Sequence, residues 1–140
     1  MTVGREAERL REAGLRATLP RLLVLSVLER LGGHRSADEL VAALEAEGRP
    51  LPRQSVYNVL ASLVGAGLVL PADAGPGRAL FEAATTFHHH FVCRQCGTVQ
   101  DVACAVGAKP CLDPGLVNAV VDEAQVIFRG ICPKCASVAT

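Results

Sequence analysis

The chain has 140 residues, half of them hydrophobic and 20% charged, which excludes a disordered protein and allows one domain or two small ones with limited cores. Its apolar runs are broken by Arg, Glu or Gly before the roughly 20 residues that a membrane span needs, and the N-terminus carries no secretory apolar stretch, so a cytoplasmic protein without membrane segments is expected. Fourteen Lys and Arg balance fourteen Asp and Glu, so bulk charge announces no nucleic-acid partner and any basic face must be local.

Val3, Ala7 and Leu10 at helical spacing predict a first amphipathic helix over 2–13, ending near Gly14. Thr18 can cap a second helix with Pro20 in its first turn, Leu22, Leu25, Val27, Leu28 and Leu31 as its buried stripe, and Gly32-Gly33 as its stop. Ser36-Ala37-Asp38-Glu39 reads as a capping box opening a third helix with Leu40, Val41 and Leu44 inward. Gly48 ends it, and Arg49-Pro50-Leu51-Pro52 makes a turn. A fourth helix over 53–66 has Val56, Leu60, Leu63 and Val64 on one face. Arg53, Gln54, Ser55, Tyr57 and Asn58 lie mostly on the other face, at an end able to enter a DNA groove. Pro52 can start that helix but supplies no side-chain cap.

Leu68-Val69-Leu70 and Arg78-Ala79-Leu80-Phe81-Glu82, separated by a Pro- and Gly-rich turn, predict a hairpin. Helices, a reading helix and a hairpin amount to a winged helix-turn-helix domain over 1–82. Residues 83–87 read as a hinge, and 88–140 as a small α/β metal-binding and dimerisation domain, for an α+β chain. In that half, 90–93, 99–102 and 125–131 are expected as strands. Asp113-Pro114 is expected to start a helix through Asp122 with Leu116, Val117, Val120 and Val121 inward. So small a unit gains stability by forming a homodimer.

Six cysteines without a signal peptide suit metal ligation or redox chemistry better than a disulfide framework. Cys93-Arg94-Gln95-Cys96 and Cys132-Pro133-Lys134-Cys135 are two CxxC pairs able to point four sulfurs at one tetrahedral Zn²⁺, a closed structural site whose affinity becomes folding free energy. Cys104 and Cys111 are left over, either as buried small hydrophobes or as a thiol pair that senses oxidants. A reactive thiol needs exposure and a cationic neighbour, and Lys109 is near in sequence. His88 and His90 alternate, so a strand projects both imidazoles from one face and His89 from the other. Completing a site for Fe²⁺, Mn²⁺ or Zn²⁺ needs carboxylates or another His; His34, Glu82 and Asp101 are available, and spacing does not choose among them.

The chain resembles the ferric uptake regulator family of metal-dependent bacterial repressors over essentially its whole length. The residues that carry the resemblance are Gly14 to Arg21, Ser55-Val56-Tyr57-Asn58-Val59-Leu60, Gly67-Leu68-Val69, His88-His89-His90-Phe91-Val92-Cys93-Arg94-Gln95-Cys96-Gly97 and Gly130-Ile131-Cys132-Pro133-Lys134-Cys135. It implies a repressor of double-stranded operator DNA, with structural Zn²⁺ on Cys93, Cys96, Cys132 and Cys135 and a regulatory Fe²⁺ or Mn²⁺ on His34, Glu82, His88, His90 and Asp101. Tyr57 would contact base edges, with Ser55 and Asn58 beside it, and Arg16, Arg21 and Arg53 would supply phosphate or minor-groove contacts. A third metal site of some members is expected to be absent, because Phe87, Ala108 and Gln125 stand about where its ligands belong.

Asp101, Tyr57-Asn58 and the run 101–112 resemble the peroxide-responsive branch associated with catalase-peroxidase control, whereas Glu82 resembles the iron-sensing one. The resemblance to the peroxide branch implies that peroxide acting at bound Fe²⁺ oxidises a ligand imidazole, His34 or His88. A thiol-disulfide switch through Cys104 and Cys111 is a separate, accessory alternative. An iron- or zinc-responsive repressor is the nearest alternative. A metalloenzyme is the alternative of another class, since two His with carboxylates and an open position can activate water. The Tyr57 helix and the lack of a substrate-pocket motif argue for no enzyme activity.

Overall fold

The computed structural model describes residues 3–83, 88–106, 111–122 and 124–138. They fall into two units, Met1–Thr85 and Thr86–Thr140. The expected hinge lies outside the described residues apart from Ala83.

The first unit runs α1 (Val3–Glu12), α2 (Leu19–Leu31), α3 (Ala37–Ala46), α4 (Arg53–Gly65), β1 (Val69–Asp73) and β2 (Ala79–Ala83). The helix starts follow local chemistry. Thr18 Oγ1 accepts from the Arg21 N–H at the head of α2. At α3, Ser36 Oγ accepts from the Glu39 N–H (3.1 Å) while Glu39 Oε1 accepts from the Ser36 N–H (3.0 Å), so two otherwise orphaned donors are satisfied reciprocally. Helix α4 starts at Pro52 with no side-chain cap. The two strands pair antiparallel, from Val69 opposite Ala83 to Asp73 opposite Ala79, and form the wing.

Helices α2, α3 and α4 pack on one another around Leu10, Val24, Leu25, Leu28, Leu40, Leu44, Val56, Leu60 and Leu63, all buried. Each such Leu or Val contributes about 1.5–3 kcal/mol relative to exposure. The α2 stripe differs from expectation at its end: Leu31 is 38% exposed, because it is the last residue of the helix beside the Gly32 turn, and Val24, one turn before Leu28, is buried. In α4, Val59 joins the buried face, three residues after Val56 and four before Leu63.

The second unit contains β3 (His88–Cys93), β4 (Val99–Ala103), β5 (Ile127–Gly130) and a short α5 (Pro133–Val138). The sheet order is β4-β3-β5, with β4 antiparallel and β5 parallel to the central β3. Among its described residues the buried side chains are His89, His90, Val92, Cys93 and Cys132, a thin core that leaves room for a metal staple. The helix expected over 113–122 does not form. Gly115 and Asn118 take positive φ of 69° and 61°, and Asp113 Oδ1 accepts from the Gly115 N–H as an Asx-turn rather than a helix cap. Leu116, Val117 and Val120 are 66%, 86% and 96% exposed, so the buried face that sustains most protein helices is missing here.

Candidate metal centres and nucleic-acid interface

Cys93 ends β3, and the chain turns at once into a knuckle. The Gly97 N–H donates to the Cys93 carbonyl and the Cys93 N–H to the Thr98 carbonyl, both at 3.0 Å. Gly97 takes φ 78°, a conformation that suits glycine. The parallel register pairs Cys93 with Gly130, so Cys132 arrives two residues later beside it, and α5 carries Cys135 over the same point. The four sulfurs lie within 4.8 Å of one another, Cys96 and Cys132 at 3.8 Å.

Backbone N–H groups of Cys96 and Cys132 each donate to Cys93 Sγ at 3.4 Å. Those bonds pull the Cys93 thiol down to about 6, Cys96 contributing most, while the Cys132 thiol, followed by burial, pushes Cys135 up to about 12. The cluster thus holds one sulfur that gives up its proton readily and one that keeps it. A dication displaces the protons, and an all-sulfur set suits Zn²⁺.

His34 and Glu82 meet through backbone register. Arg35 and Phe81 form an isolated antiparallel bridge, the Arg35 N–H donating to the Phe81 carbonyl at 2.8 Å and the Phe81 N–H returning at 2.7 Å. The residues on either side are thereby opposed, and His34 Nε2 comes within 3.4 Å of Glu82 Oε2, both side chains about nine-tenths buried. The Arg35 side chain fixes the preceding turn by donating to the Gly32 and Leu31 carbonyls at 2.9 and 3.1 Å.

In the second unit, β3 presents His88 and His90 from one face, their rings 5.1 Å apart. The antiparallel register sets His90 opposite Asp101 on β4. Asp101 Oδ1 lies 2.9 Å from His88 Nε2 and 3.5 Å from His90 Nε2, so both imidazoles aim the same nitrogen at one carboxylate. Gln125 Nε2 stands 3.4 Å from His90 Nδ1. Of the positions expected to lack a third metal site, Phe87 and Ala108 lie outside the described residues.

His89 points the other way and gathers a constellation that sequence reasoning did not assemble. His89, Cys104 and Cys111 bring one ligand atom each within 4.8 Å of the others. Both cysteines had been singled out, but nothing local linked them to His89, which faces them only because of the strand's alternation. Lys109 lies outside the described residues.

On α4, burial of Val56, Val59, Leu60 and Leu63 leaves Arg53, Gln54, Tyr57 and Asn58 exposed and Ser55 half-buried. Gln54 Nε2 donates to Asn58 Oδ1 at 2.9 Å, ordering one turn of this face. Arg53 pairs with Asp38 at 2.8 Å, both well exposed, an arrangement that holds little energy and can yield to a phosphate. Arg21 Nη1 donates to the Arg16 carbonyl at 3.0 Å, tying the Arg21 guanidinium to the backbone just before α2.

A sequence model of the Ferric uptake regulator family matches residues 12–106. Transcriptional regulator FurA of Mycobacterium tuberculosis is 42% identical over 134 residues, which is 93% of this chain and 89% of that protein. The solved structure of the Pseudomonas aeruginosa ferric uptake regulator with manganese superposes with a TM-score of 0.69 at 28% identity, covering 91% of this chain and 98% of that one. PerR from Streptococcus pyogenes, solved for the structural basis of peroxide sensing and gene regulation, gives 0.50 at 27% identity, covering 96% and 92%. A winged-helix unit followed by a unit bearing a cysteine cluster and His-carboxylate sets defines a metal-responsive transcriptional regulator, not an enzyme. The chain belongs to the Ferric uptake regulator family. No helix among the described residues is long and apolar enough to cross a membrane.

Proposed function

We propose that this protein is a homodimeric, metal-dependent repressor that holds its operator when a regulatory Fe²⁺ or Mn²⁺ is bound and leaves it in response to peroxide. The observation that carries this reading is the pairing of imidazole with carboxylate in each unit, His34 with Glu82 and His88 and His90 with Asp101. Nitrogen and oxygen donors suit Fe²⁺ and Mn²⁺ far better than the all-sulfur cluster does. Cys93, Cys96, Cys132 and Cys135 would hold structural Zn²⁺. His34, Glu82, His88, His90 and Asp101 would share the regulatory ion, so that ligation ties the reading helix to the dimer half. In a dimer, that restraint sets the separation of the two Tyr57 helices and converts metal occupancy into affinity for a two-fold site. Exposed Val117, Val120, Phe128 and Ile131 offer apolar surface for the second copy.

Asp101 and the likeness to PerR support peroxide as the signal. Fe²⁺ held there would supply redox chemistry with peroxide that Mn²⁺ would supply poorly. His34 and His88 would be the imidazoles oxidised, and an oxidised ring would be a poor ligand. Iron sensing is the second reading, favoured by Glu82 and by the likeness to a ferric uptake regulator. Both readings share one test of the site. Asp101→Ala should keep one zinc per chain and its dimeric state but lose Mn²⁺-dependent binding to its own promoter DNA; unchanged binding would remove Asp101 from the regulatory site.

A further inference from the structure

The constellation behind the regulatory strand has a chemistry of its own. Cys104 follows the last residue of β4, Cys111 comes seven residues later, and both are partly exposed. Their sulfurs lie within 4.8 Å of each other and of a ring nitrogen of His89. Two thiols and an imidazole are also a conventional soft-metal set, and the tautomer of His89 decides between the uses. The Val126 backbone N–H donates to His89 Nδ1 at 2.9 Å, so Nδ1 carries a lone pair and the neutral ring bears its proton on Nε2. Nε2 is the nitrogen that faces Cys111 Sγ, at 3.3 Å. It is therefore a donor to sulfur and has no lone pair to offer an ion.

We propose that Cys104 and Cys111 form an oxidisable pair that hydroperoxides convert to a disulfide, with His89 positioning Cys111. Cys104 thiolate attacks the peroxide, takes one oxygen and, with a proton from solvent, releases the alcohol or water, leaving Cys104 as sulfenic acid. The Cys111 sulfur then displaces that hydroxyl, its thiol proton departing with it as water. Each peroxide is reduced by two electrons drawn from two thiols, and no metal takes part. Burial, followed by the Cys104 thiol, pushes the Cys111 thiol up, which suits it to resolving rather than to first attack. The bond would form one residue beyond the pair Ala103 and His88, joining thiol state to the strands that carry His88, His90 and Asp101.

The test uses the full chain loaded with Zn²⁺ and Mn²⁺, so that iron-dependent oxidation of ligand imidazoles is silent and the outcome does not depend on the peroxide-iron reading. After hydrogen peroxide treatment, alkylation and mass mapping should find a Cys104–Cys111 cross-linked peptide with a loss of about 2 Da, and zinc still bound. Cys111→Ser should stop at a Cys104 sulfenic acid trapped by dimedone, and Cys104→Ser should leave Cys111 alkylatable. Zinc content before treatment reports whether each variant folds, and if neither does, the wild-type cross-link decides. The proposal is overturned if both thiols stay alkylatable while the CxxC cysteines oxidise, or if the pair holds a second equivalent of zinc that either serine variant releases.

Discussion

His34 faces Glu82 because their neighbours, Arg35 and Phe81, exchange both backbone hydrogen bonds across an isolated bridge. The imidazole and carboxylate reach 3.4 Å without any rearrangement of the wing, so this half of the proposed regulatory site is set by the fold before an ion arrives. Preorganised ligands avoid ordering costs on binding. His34→Ala should therefore cost Mn²⁺ affinity at least about tenfold, on the scale of lost metal-site partners, while thermal unfolding of the winged-helix unit changes little. Isothermal titration of the zinc-loaded protein checks it; an unchanged Mn²⁺ affinity would assign the pair to the wing alone.

Removing the structural ion should undo the second unit. Few described side chains there are fully buried, and two of them belong to the cysteine cluster, Cys93 and Cys132. A structural zinc contributes apparent binding energy of about 10–16 kcal/mol to small metallodomains, more than so thin a core supplies. Cys132→Ser, or treatment with a strong zinc chelator, should abolish dimers in sedimentation and the β-sheet contribution to circular dichroism, with the helical first unit still folded. A chelated protein that remains dimeric would show that the cluster is not what holds the unit.

The capping box at α3 predicts a small acid-sensitive increment of stability. The Ser36 backbone N–H does most to hold the Glu39 carboxyl below its ordinary value, Arg35 adds to this, and burial opposes it. A depressed folded-state pKa contributes stability that is fully present above the unfolded value near 4.5 and is lost as pH falls through the folded one. Glu39 is largely solvated, so screening keeps the effect modest. Ser36→Ala should cost about 1 kcal/mol near neutral pH. Glu39→Gln should lower stability above pH 5 and converge with wild type in acid, as followed by urea titration; a constant offset across pH would contradict the linkage.

Tyr57 is 44% exposed on α4 while its neighbours Val56, Val59 and Leu60 are buried. Tyr57→Ala should leave stability within about 0.5 kcal/mol but weaken operator binding by about 1–3 kcal/mol, mainly for the cognate sequence. Arg53→Ala should weaken binding to all sequences alike and flatten its salt dependence. Fluorescence anisotropy on promoter and scrambled DNA separates the two.

Much of this was legible because it is local. The box of Ser36 and Glu39, the cap at Thr18, the two CxxC knuckles and the alternation of His88 with His90 each need only a few residues to be read. What could not be read depends on register between distant segments. The bridge of Arg35 to Phe81 and the arrival of Val126 at His89 leave no periodic trace. The helix expected over 113–122 failed for a related reason: its apolar spacing was genuine, but Gly115 and Asn118 turn the backbone left-handed and no surface covers Val117 or Val120. Hydrophobic period reports a face that wants burial and does not say what buries it.

The most direct test of the proposed function is anaerobic binding of the zinc-loaded dimer to its own promoter, with Fe²⁺ or Mn²⁺ titrated in and a small excess of peroxide then added. The account predicts that both ions promote binding, that only the iron form is then lost, and that His34 or His88 gains one oxygen by mass. Iron-promoted binding that survives the challenge would contradict it and make this protein a sensor of iron itself.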